Sequence, residues 1–80
     1  MSSFVRYVLR YKNDDDKFGE IARMILRDPN VNRRWSHRQL SRYAYLQQAD
    51  QGTFDVLDEL GRNYQLALEI RKWEERPQWT

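Results

Sequence analysis

The chain has no cysteine, one histidine, two prolines, three glycines and, from Pro29 to Gln48, no acidic residue. Without thiols there is neither a disulfide staple nor a thiolate metal site, so packing alone must hold the fold. A single histidine leaves no pair for zinc. So few glycines and prolines give little punctuation for a many-stranded sheet, which favours helices. No apolar run approaches the roughly 20 residues that cross a bilayer, and no basic segment leads into an apolar signal core. These absences point to a soluble, cytoplasmic, all-α protein.

What is present fits one small domain. A chain of 80 residues buries only about 60 to 65% of its unfolded surface on folding, for a total stability of about 4 to 12 kcal/mol. Three tryptophans, five tyrosines and three phenylalanines, within 40% hydrophobic residues, supply the core volume. Charge is unevenly spread. Residues 1–28 hold six Lys/Arg against five Asp/Glu, residues 29–49 four against none, and residues 50–80 four against seven, summing to a net +2. A cationic strip beside an acidic C-terminal third can bind phosphate, an acidic partner or a copy of itself.

The spacing predicts four helices. Ser2 or Ser3 caps a first helix of about ten residues with Phe4, Tyr7, Val8 and Tyr11 on one side. Asp14, Asp15 and Asp16 offer a cap and negative charge to a second helix, whose apolar series Phe18, Ile21, Ala22, Ile25 and Leu26 ends at Asp28-Pro29. Residues 29–35 have no period and form a loop anchored by Val31 and Trp35. Ser36 and Gln39 form a capping box that opens a third helix, with Leu40, Tyr43, Ala44 and Gln47 facing inward and Arg38, Ser41, Arg42 and Tyr45 outward. After a turn over Ala49 to Gly52, Thr53 caps a long fourth helix running to about Glu75. Its core stripe is Phe54, Leu57, Gly61, Tyr64 and Leu68, with Leu60 at the edge. The expected domain spans residues 1–76, with 77–80 as a disordered tail. Its expected core comprises Phe4, Tyr7, Phe18, Ile21, Ile25, Leu40, Tyr43, Phe54, Leu57 and Tyr64.

The order Ser3-Phe4-x-x-Tyr7, Phe18 with Ala22 and Asp28, Leu40 with Tyr43, and Phe54-Asp55-x-Leu57 with Tyr64 resembles the YozE family of small, uncharacterised bacterial proteins over roughly residues 3–64. The resemblance implies a compact SAM-like bundle of four or five short helices, here with a long C-terminal helix, and no established function. It also implies head-to-tail assembly as a possible mode, the basic face of the third helix meeting the acidic start of the fourth. Two features depart from the family pattern. Asn32-Arg33-Arg34-Trp35 stands where the family has a Phe-Pro pair and acidic residues, and Gln65 to Thr80 extends past the family's usual end.

Two surfaces follow from the pattern. Arg34, Arg38 and Arg42 are spaced by four and, if the helix starts early, line one ridge with Arg33 alongside and Tyr45 free to stack on a base. Such a ridge tracks phosphates, or its arginines pair with Asp55, Asp58 or Glu59 of the fourth helix. In the fourth helix, Leu66, Ile70 and Trp73 fall nearly opposite the core stripe, so either the N-terminal helix or the tail covers them or they dock on another chain. Chemistry is sparse. His37 reads as an exposed helix-start residue, and the aspartates at 14–16 lack the spacing and glycine of a calcium loop. Neither a phosphate-cradling glycine loop nor a nucleophile elbow is present, and Gly19 and Gly61 read as sites of close helix packing. The expectation is a non-enzymatic binding module without cofactor, metal, membrane or small-molecule substrate. It acts through protein–protein interaction or self-association at Leu66, Ile70 and Trp73, or alternatively through nucleic acid at Arg33, Arg34, Arg38, Arg42 and Tyr45.

Overall fold

The computed structural model describes residues 3–74, with side chains to Arg71, and contains α1 (Phe4–Leu9), α2 (Lys17–Arg27), α3 (His37–Leu46) and α4 (Gln51–Glu74). The helix end expected near Glu75, the tail expected over 77–80 and the side chain of Trp73 lie outside the described residues. The result is an all-α four-helix bundle. Helices α1 and α4 each pack on all the others, whereas α2 and α3 flank them without packing directly on one another. The radius of gyration is 14.0 Å, against roughly 12 Å for a compact domain of this length. The excess comes from α4, whose 24 residues extend about 36 Å.

Local chemistry sets the boundaries. The Ser3 hydroxyl accepts from the Arg6 amide to cap α1. Only six residues are α-helical, and the rest of the expected first helix continues as tighter turns, Arg10, Tyr11 and Lys12 donating to the carbonyls of Tyr7, Val8 and Leu9. Asp16 caps α2 through the Gly19 amide at 3.0 Å. The α1–α2 linker folds back over this first turn, where Arg23 donates to the carbonyls of Lys12 and Asp14 at 3.0 and 2.9 Å. Gly19 permits that approach: a Cβ there would lie 1.8 Å from the Asp14 carbonyl oxygen. Asp28 ends α2 and uses both oxygens, accepting from the Asn30 amide at 2.9 Å and the Tyr43 hydroxyl at 2.6 Å, so the end of α2 is tied to α3. The capping box of Ser36 and Gln39 opens α3.

The turn into α4 differs from the expectation. Gln48 takes φ 60°, and the amides of Gln48 and Ala49 close back on the carbonyls of Tyr45 and Ala44, each at 3.0 Å. This left-handed closure usually takes glycine. The cap of α4 is Asp50, not Thr53: Asp50 accepts from both the amide and the hydroxyl of Thr53 at 2.8 Å. Those bonds hold the Asp50 carboxyl below its usual pKa, the backbone bond contributing most.

The buried centre is mostly aliphatic: Phe4, Val5, Val8, Ile21, Ala22, Ile25, Leu40, Leu57 and Leu60. Tyr7, Phe18 and Tyr64 pack around it half-buried, as do Val31 and Trp35 from the loop. Five placements correct the sequence reading. Leu60 is fully buried rather than at an edge, because α1 and α2 as well as α3 pack on α4 and widen its inner face. Leu26 is exposed, on the side of α2 that no helix covers, and Gln47, past the end of α3, is exposed too. Tyr43 and Phe54 are half-buried at the rim rather than central. The rim forms a chain of rings, His37–Phe4–Tyr64–Tyr7–Tyr11–Phe18, with centroid spacings of 5.1, 5.6, 5.3, 5.7 and 5.4 Å. These tilted and edge-on contacts each add about 0.5–1.5 kcal/mol beyond burial. Lys17 sits over Phe18 and pairs with Glu59 at 2.8 Å, joining α2 to α4.

Candidate functional site

The basic strip is built by the loop before α3 and by the helix itself. The Arg33 carbonyl accepts from the Ser3 hydroxyl, and the Trp35 carbonyl accepts from the Val5 amide at 3.3 Å, so the start of α1 fixes the loop. Asn32 shapes it further by accepting from the Arg34 amide at 2.8 Å. Trp35 then packs on Tyr43 with centroids 5.3 Å apart. The helix begins only at His37, so the expected ridge is shorter: Arg38 and Arg42 stand one turn apart on α3, while Arg33 and Arg34 project from the preceding turn. All four arginines are exposed, and Tyr45 is 73% exposed.

The carboxylates proposed to neutralise this strip lie beside other groups. Glu59 pairs with Lys17, Asp55 accepts from the Gln51 amide group at 2.9 Å, and Asp58 lies 3.2 Å from His37 Nε2. Among the described residues, no ion pair engages Arg33, Arg34, Arg38 or Arg42.

The second surface is the outer side of α4. Leu66 and Ile70 are each 57% exposed. Arg62 and Glu69 share this face and are exposed, and neither is in an ion pair among the described residues. Their spacing of seven residues is nearly two full turns, with Leu66 between them. The sequence reading passed over both because it followed apolar residues only; the opposite charges at i and i+7 were the available signal.

Between the start of α3 and this face runs an open groove of about 820 Å³, lined by Ser36, His37, Arg38, Gly61, Arg62 and Leu66 among others. On one side of it the His37 ring lies against Gly61, where a Cβ would be 2.9 Å from His37 Cδ2. His37 is therefore not the exposed helix-start residue expected. It is half-buried, with its ring edge-on to Phe4 and flat space beside it at Gly61. Its buried Nε2 makes no hydrogen bond despite the nearby Asp58 carboxylate, whose alignment is poor.

Where α2 and α3 stay apart, a second, apolar crevice of about 180 Å³ opens between Ile21, Met24, Ile25, Leu40, Ala44 and Leu57. Two tyrosines titrate away from their ordinary value. Burial pushes the Tyr7 phenol up to about 12, helped by its 2.9 Å hydrogen bond with Tyr11. The bond to Asp28 raises Tyr43, and burial adds to it. Among the described residues, no three His, Cys, Asp or Glu side chains converge as a metal site, and no helix is long and apolar enough to cross a membrane. Comparison with protein-family profiles, with curated proteins and with solved structures gives no match.

Proposed function

We propose that the protein is a non-enzymatic binding module and that its docking surface is the outer face of α4 around Leu66 and Ile70. The observation that carries this reading is their exposure. Both are large aliphatic side chains, 57% accessible, on a helix whose opposite face is already buried in the bundle. Apolar side chains of this kind at helical spacing dock into the groove or helix face of a protein partner. Trp73 falls on the same side by helical spacing and serves as an aromatic anchor in this reading. The SAM-like arrangement and the YozE resemblance belong to the same proposal, and neither carries a function of its own.

A photo-crosslinking residue at position 66, introduced into the protein in its own cells, tests the reading. Protein adducts that disappear when Ile70→Asp is added support it. An absence of protein adducts at position 66 contradicts it.

A second reading is favoured by the arginines that no ion pair engages among the described residues. Arg33, Arg34, Arg38 and Arg42, with Tyr45 to stack, form a small anion-binding strip suited to the phosphates of nucleic acid. Such binding collapses between low and moderate ionic strength, whereas an apolar interface holds. Filter binding of a short DNA duplex over a salt series separates the two.

A further inference from the structure

We infer that the partner of the α4 face is a second copy of this chain, and that the two α4 helices pair antiparallel about a two-fold axis beside Leu66. The inference rests on the docking reading above and names its occupant.

Charge selects both the partner and the direction. Arg62 and Glu69 are exposed on the same side of α4 as Leu66 and carry no ion pair among the described residues. They lie seven residues apart, about 10.5 Å along the axis and about 20° apart around it. A parallel pair of α4 helices would set Arg62 beside Arg62 and Glu69 beside Glu69, which is repulsive at both positions. An antiparallel pair centred between positions 65 and 66 sets each Arg62 level with the Glu69 of the other copy. Two opposite-charge pairs then form, and Leu66 of both copies meets at the axis. The contact is isologous, one patch serving both copies, so it closes as a dimer and does not propagate.

Shape supports the same arrangement. The molecule measures 50 × 25 × 22 Å, and the bundle occupies one end of α4, whose residues packed in or against the core run from Val56 to Tyr64. Antiparallel pairing places the two bundles at opposite ends. In this register, position 70 of the mate is level with Gly61 and position 73 with Asp58. The last turns of the mate's α4 therefore run along the open groove of about 820 Å³ that Arg62, Leu66 and Glu69 border. One arrangement thus covers the exposed leucine, neutralises both free charges and fills the groove.

Charge reversal is the test. Purified full-length protein is measured by sedimentation equilibrium at low salt, as wild type, R62E, E69R and the R62E/E69R double variant, with thermal midpoints as the folding control. The expected result is a wild-type dimer that each single reversal weakens about ten-fold, two rim pairs being altered at once. The double variant should return to within about three-fold of wild type, because the pairs are restored with their signs exchanged. A dimer indifferent to the single reversals, or not rescued by the double variant, overturns the antiparallel α4 pairing. A monomer at every concentration overturns the second copy as occupant; crosslinks from position 66 in cells would then leave the docking reading standing with a different protein, and their absence would remove both.

Discussion

Leu57 and Leu60 near the middle of α4 are 2% and 0% exposed, whereas Leu66 and Ile70 on the same helix are each 57% exposed. All four are large aliphatic residues of one helix; the difference is what lies opposite. Around Leu60, α1, α2 and α3 all pack against α4, and the ring chain from His37 to Phe18 seals the rim. Leu66 faces away from all of them. The first half of α4 is therefore the centre of the fold, and the outer face of the second half is a surface that no described residue covers. Apolar residues carry stability in one place and the capacity to associate in the other.

The most forceful way to break this comparison is truncation on each side of it. Leu60→Ala should cost about 3 kcal/mol, the usual loss for a buried leucine with a residual cavity. Leu66→Ala should change stability by no more than about 0.5 kcal/mol. Urea unfolding of both variants reads the contrast, and equal losses would place Leu66 in the core. Gly19→Ala should destabilise by about 2 kcal/mol, because the new methyl meets a backbone oxygen rather than a flexible side chain and the linker must move. At Gly61 the neighbour is the His37 ring, which can shift, so Gly61→Ala should cost less in the same assay. Gln48→Gly should stabilise by about 0.5–1 kcal/mol, since φ 60° is unfavourable for a residue with a Cβ. Association should be unchanged by that variant, because the turn is far from the outer face of α4.

The smallest effect is on pH dependence. The Tyr7 phenol is raised from 10.0 to about 12 by burial and by its bond to Tyr11. The folded state therefore holds the proton more tightly than the unfolded chain does. Its contribution is complete below pH 10 and is lost as pH rises towards 12, reduced in size by the solvent that reaches the phenol. The urea midpoint should fall over that range and fall less in Tyr7→Phe.

Features governed by neighbouring residues were legible in the sequence. The capping box at Ser36 and Gln39, the stop at Asp28-Pro29 and the inward face of α2 at Ile21, Ala22 and Ile25 all stand as read, because each depends on spacings of four residues or fewer. What escaped depends on distant packing. Val5 and Leu60 are buried because several helices converge on them, which no single-helix period reveals. His37 is half-buried because Gly61, 24 positions later in the chain, leaves room for its ring. Asp50 and Thr53 can both cap a helix, and the left-handed turn at Gln48 decides for Asp50. At the surfaces, the helical period put Leu66 and Ile70 opposite the core stripe but left open whether another segment covers them, and their exposure came only with the structure. The absence of carboxylates from the arginine strip was not legible either, since it required knowing that Lys17 and His37 approach Glu59 and Asp58.

The central claim is that the uncovered face of α4 associates through apolar contact. Light-scattering mass of the purified protein, over a concentration series at low and high salt and with or without a short DNA duplex, tests it most directly. The expected result is a species of twice the 9.9 kDa chain mass that persists at high salt, ignores the duplex and reverts to monomer in Leu66→Asp with an unchanged melting temperature. A monomer that gains mass only with the duplex, and loses it as salt rises, would contradict the account and assign the function to the arginine strip.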